Sequence, residues 1–192
     1  MDFLGVKQYV LDRLERELPT EYVYHSIEHT LDVLQASGEI CENEGVEGKE
    51  RLLVETAALL HDIGFIYGPT EHEERGCEIA EVILPSFGYR PDEIERICSM
   101  IRATKIPQSP KDHLEMILCD ADLDYLGRGD FIEIGNRLFS ELQFLGRIEG
   151  KVAWNRLQIA FLGAQRYWTK TNQERRSKRL AENLSSILKI VE

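Results

Sequence analysis

Apolar residues recur at the 3.6-residue period of an α-helix along almost the whole chain, and no β alternation competes with them. The period predicts helices over residues 3–17, from Ser26 into the 42–45 stretch, over 48–62, from about 70 to Pro85, from Pro91 to Lys105, from Leu114 to about Leu126, over 130–143 and 150–169, and from about 171 to 191. Thr70-Glu71-His72-Glu73 and Thr171-Asn172-Gln173-Glu174 have the spacing of capping boxes, and Pro91 suits a first helical turn. Residues 64–69 read as a loop. The connections are short, with no low-complexity segment and no internal repeat. The expectation is an all-α fold: one compact helical bundle over residues 1–192, without an inter-domain linker.

At 192 residues, 43% apolar and 30% charged, the chain has the size and composition of one soluble globular domain with a sizeable core. Its net charge of −11 argues against a nucleic-acid polymer or an anionic membrane as partner. A small anionic substrate stays open, because a bound cation and a few local basic groups reverse the field inside a pocket. Cys41, Cys77, Cys98 and Cys119 form no CxxC pair and read as reduced thiols of a cytoplasmic protein. The start Met1-Asp2-Phe3-Leu4-Gly5 lacks the basic and long apolar regions of a signal peptide, and no stretch approaches the ~18 apolar residues of a membrane span.

Function concentrates at three places. The apolar run Leu52–Leu60 closes on His61-Asp62, so an imidazole and a carboxylate stand at the edge of a core, where they are costly unless something satisfies them. Upstream, His25 and His29 lie four apart, on one face of a helix. Downstream, Asp120, Asp122 and Asp124 cluster on another apolar stretch. Imidazoles and carboxylates together make a plausible site for a divalent cation, and a mixed His/Asp set leaves Mn, Fe, Ni, Co, Zn and Mg open. His72 stands at an expected helix start beside Arg75, a setting that favours anions, and is a candidate for substrate phosphate or a second metal. Glu73 or Glu74 is a candidate general base, against a helix-start role. Lys105, ending a helix, is a candidate phosphate contact, against favourable placement at a helix C-terminus. His113 has no partner pattern and reads as surface. Arg175-Arg176-Ser177-Lys178-Arg179 reads as a solvated helix face.

The ordered set His29, His61-Asp62 and a later Asp resembles the HD superfamily of metal-dependent phosphohydrolases. The flanks agree: an HT..V segment at His29, LLHDIG around His61, and DADLDYLG from Asp120. The likeness covers most of the chain and extends to the stand-alone predicted HD phosphohydrolases, through the HE..G segment His72–Gly76 and the FL....Y.T segment from Phe161 to Thr169. It implies metal ligation by His29, His61, Asp62 and a later aspartate, with Asp122 preferred because it is the second Asp of D-x-D; Asp120 and Asp124 remain alternatives, whose other reading is a solvated acidic face. It implies a metal-binding core at about residues 20–130 with C-terminal helices packed on it. The substrate implied is a small phosphate monoester or diester, with a nucleotide among the candidates. Tyr24-His25-x-x-x-His29 is also similar to a segment of cyclic-nucleotide phosphodiesterases in that superfamily, where the first His protonates the leaving oxygen. For His25 this role stands against a supporting or packing one. One departure is Gln165, where relatives often carry His. The rival to an enzyme is a non-catalytic sensor binding metal and nucleotide in the same pocket.

Overall fold

The computed structural model describes residues 1–191. It contains helices α1 (Phe3–Glu17), α2 (Ile27–Asn43), α3 (Gly48–Leu60), α4 (His72–Ile83), α5 (Pro91–Ala103), α6 (His113–Asp122), α7 (Phe131–Phe144), α8 (Gly150–Ala164) and α9 (Lys170–Val191). Single 3-10 turns cover Ile63–Tyr67, Leu84–Phe87 and Asp124–Gly127. No strand occurs among the described residues, so the all-α expectation holds. Among the described residues no helix is long and apolar enough to cross a membrane.

The organising element is α3. From Thr56 to Phe65 every residue is buried, and a helix end buried on all sides must be wrapped by others. Helices α1, α2, α5 and α6 do the wrapping. Val10 from α1, Val33 from α2, Ile97 and Ile101 from α5, and Ile117 from α6 close on Val54, Ala57, Leu59 and Leu60 in one core. A second, smaller core joins Tyr24, Leu123, Tyr125 and Phe131 to Leu162 of α8 and Leu180 and Ile187 of α9. The four cysteines are free and buried, as thiols of the core should be.

The helix boundaries follow the periodicity, but neither expected capping box forms. The N-cap of α4 is Glu71, in the left-handed region at φ 54° with no side-chain cap. The cause is tertiary. The start of α4 is pressed against the turn after α3, where a Cβ on Gly64 would stand 2.0 Å from the His72 carbonyl oxygen. Only glycine at position 64 permits that approach. At α9, Thr169 rather than Thr171 caps: its hydroxyl accepts from the Asn172 N–H at 3.2 Å and donates to Asp120 at 2.7 Å. The Thr171 N–H donates to Glu44 instead. Nor is the basic run of α9 wholly a solvated face, since Arg176 turns inward to Asp124 at 2.8 Å.

Glu93 ties the starts of α3 and α5 together. It accepts from the Arg90 N–H at 2.8 Å and meets Lys49 Nζ at 2.6 Å. The Arg90 N–H and then Lys49 lower its carboxyl to about 2. A depressed carboxylate stabilises the fold above its ordinary range and loses that contribution as pH falls through the folded value. Glu93→Gln should therefore lower the melting temperature at neutral pH. The gap from wild type should narrow as pH drops below the ordinary value of 4.5 and vanish near 2. Thermal unfolding of both proteins across that range tests this, and a gap independent of pH would refute it.

Candidate metal centre

Three helix ends converge on one point. Ser26 caps α2 by accepting from the His29 N–H, which places His29 in the first turn. His61 ends α3 with Asp62 directly after it, and Asp122 is the last residue of α6. His61 Nδ1 lies 2.8 Å from the Ala58 carbonyl and donates to it, which turns Nε2 inward as the nitrogen that can bind a cation. The Tyr24 ring stacks on His29 at 4.8 Å.

The inward atoms are closely spaced. His29 Nε2 is 3.3 Å from His61 Nε2, 3.3 Å from Asp62 Oδ2 and 3.4 Å from Asp122 Oδ1. His61 Nε2 is 3.1 Å from Asp62 Oδ2 and 3.6 Å from Asp122 Oδ1. Ligands ~2.1 Å from a cation stand about 3.0 Å apart at right angles and about 3.4 Å apart at tetrahedral angles, so His29, His61 and Asp122 are spaced for a shared ion, and Asp62 borders the same two imidazoles. Asp62 Oδ2 is the decisive atom. It is buried, and although two imidazole nitrogens lie near it, neither aligns to donate, so it has no hydrogen-bond partner.

The electrostatics agree. Burial opposes charge on His29, yet Asp122 and Asp62 outweigh it and raise the imidazole to about 9. Burial likewise opposes charge on His61, and Asp62 foremost overcomes it, holding the ring well above the usual histidine range. Burial would raise both carboxyls, but His61 holds Asp62 well below the usual range, and His29 and His61 bring Asp122 to about 2. This chain's donors thus form an anionic nest that must hold compensating positive charge, and one divalent cation carries the charge of the two protons it would replace.

The remaining candidates divide. His25 and His72 both pack on the Phe65 ring, with centroids 3.9 and 4.2 Å from it. His72 Nε2 lies 3.5 Å from Asp62 Oδ1 and 3.5 Å from Glu73 Oε1, and Glu73 is buried. Glu74 points away and pairs with Arg102. The Arg75 guanidinium donates to the Tyr67 carbonyl rather than facing the site. Lys105 is exposed, and its neighbours Thr104 and Ile106 line the adjoining cavity while it does not. His113 is half-exposed and pairs with Glu44 at 3.0 Å.

Asp120 and Asp124 are not a solvated acidic face. Asp120 is fully buried and accepts from the Trp168 N–H, the Thr169 N–H and the Thr169 hydroxyl. Asp124 accepts from Asn172 and Arg176. Both are spent holding α9, which leaves Asp122 between them as the aspartate facing the histidines.

Sequence reasoning missed Glu141 of α7. It is 1% exposed, its Oε2 accepts from the Tyr24 and His25 N–H groups at 2.9 and 3.1 Å, and its Oε1 bonds His25 Nδ1. The one local signal is that it is the sole charged residue between Leu138 and Leu145. Beside the centre opens a cavity of about 370 Å³, lined by Asp62, Asp122, His25 and His72 at one end and by residues of α7 and α8 beyond.

The HD domain family matches residues 26–124, just over half of the chain, and the chain belongs to that family. Two solved structures share the fold. One, described as a predicted HD superfamily hydrolase from an uncultured Thermotogales bacterium, is 24% identical with a TM-score of 0.60, covering 96% of this chain and 88% of that one. The other, a protein of Lactobacillus plantarum, is 17% identical with a TM-score of 0.71, covering 99% and 93%. At these identities the likeness shows the fold. No curated protein matches the chain.

Proposed function

We propose that this protein is a metal-dependent phosphohydrolase, cleaving a phosphate monoester or diester with a divalent cation held by His29, His61, Asp62 and Asp122. What carries the reading is the orphaned Oδ2 of Asp62, buried between two imidazoles that do not donate to it. Once bound, such a cation lowers the pKa of a water and neutralises charge on the phosphate. The chain's own groups supply the rest. His61 turns its ligating nitrogen inward through the contact of Nδ1 with Ala58. Glu141 holds His25 at Nδ1, so Nε2 is the nitrogen from which a proton passes to the departing oxygen. His72, packed on the same Phe65 ring as His25 and beside Asp62, meets a phosphate oxygen in this reading.

The test is elemental analysis of freshly purified protein, followed by hydrolysis assays on nucleotides and generic phosphoesters with Mn, Fe, Ni, Co, Zn or Mg added. Stoichiometric metal with metal-dependent release of phosphate or alcohol is expected. Metal without turnover on any ester would favour the sensor instead, and no metal at all would refute both.

A further inference from the structure

The cavity beside the metal centre is built for grease. Its far walls are Leu138 and Leu142 of α7 and Trp154, Leu157, Phe161 and Leu162 of α8. No Lys or Arg lines it, and Gln158 supplies its one amide. At about 370 Å³ it lies within the ~300–1,000 Å³ usual for small-molecule sites. Its anionic end carries Asp62, Asp122 and Glu73, with only histidines as possible cations.

Such a space is a poor host for a nucleotide. A triphosphate needs several cationic partners, and no Lys or Arg lines the cavity. A sugar and base would bury hydroxyls and ring nitrogens against leucines and leave them unpaired. Resting on the phosphohydrolase reading, and sharpening it, we infer that the substrate is a phosphate monoester of an apolar alcohol. Its single phosphate sits at the Asp62–Asp122 end and its hydrocarbon body lies between α7 and α8. Water adds to phosphorus, the P–O bond to the alcohol breaks, the departing oxygen takes a proton, and the products are inorganic phosphate and the free alcohol.

The experiment compares kcat/KM of the Mn-loaded protein on ethyl, butyl, hexyl and octyl phosphate, with 2′-deoxyadenosine 5′-monophosphate as the polar comparator. Each methylene moved from water into the cavity should raise kcat/KM about fourfold until the space is filled. The nucleotide should be cleaved worse than hexyl phosphate. Leu157 is part of the wall yet 46% exposed, so Leu157→Glu should fold and flatten the series. Independently of turnover, calorimetry with 1-octanol on the protein without added metal should show binding with a negative heat-capacity change. Cleavage with a flat series, a preference for the nucleotide, or no octanol binding would each overturn this inference and leave the hydrolase reading standing. If no ester of either kind is cleaved in the presence of any metal, both fall.

Discussion

Asp62→Ala should yield a protein that no longer retains stoichiometric metal and no longer turns over phosphoesters. In the wild type the Asp62 Oδ2 faces His29 and His61 at 3.3 and 3.1 Å. Without that oxygen the site keeps two imidazoles and one carboxylate, a weaker set with half the anionic charge. Because a bound cation contributes several kcal/mol to stabilising the transition state, the rate should fall by at least about 10³-fold. Stability should report the same loss. A ligand at a hundred times its dissociation constant stabilises the folded state by about 2.7 kcal/mol. Added Mn should therefore raise the melting temperature of the wild type and leave that of the variant unmoved. Elemental analysis decides: an Asp62→Ala protein with unchanged metal content would sink the site as drawn.

His25→Ala should separate binding from chemistry. His25 lies one turn before His29, but its Nδ1 is committed to Glu141 and its ring to Phe65, so its removal should spare the metal. Turnover should drop by about 10²–10⁴-fold, the usual contribution of a general acid. The drop should be smaller for nitrophenyl esters, whose leaving groups need little protonation. Glu141→Gln should fall between wild type and His25→Ala, since its one amide oxygen can accept from the His25 ring or from the Tyr24 and His25 N–H groups, but not from both. Loss of metal in His25→Ala would make His25 a support of the ligands. Full activity on every substrate would reduce it to packing.

How much of this was legible in the sequence depends on range. The buried run through α3 reads directly, because every residue that makes it central is contiguous, and His61-Asp62 stands at its end. The choice among Asp120, Asp122 and Asp124 is different. It turns on α6 ending at Asp122 and passing into a 3-10 turn, a change of phase that a periodic pattern does not announce. It also turns on Thr169, Asn172 and Arg176, some fifty residues away, which occupy the two flanking carboxylates. Those partners lie beyond residue 124, where the family match stops. Glu141 was hidden for the same reason: its partner is 116 residues upstream. The capping boxes misled because spacing alone cannot foresee the close approach of Gly64 and His72, or that Thr169 would answer to Asp120 as well as to its own helix. The cavity left no trace, since leucines and aromatics that line a space look the same in sequence as those that fill one.

Phe65 has a consequence for alignment. Its ring packs on His25 at 3.9 Å and on His72 at 4.2 Å, centre to centre, so one side chain braces both imidazoles, which stand 6.3 Å apart. Both border the same cavity, and a change at this one position would shift the two together.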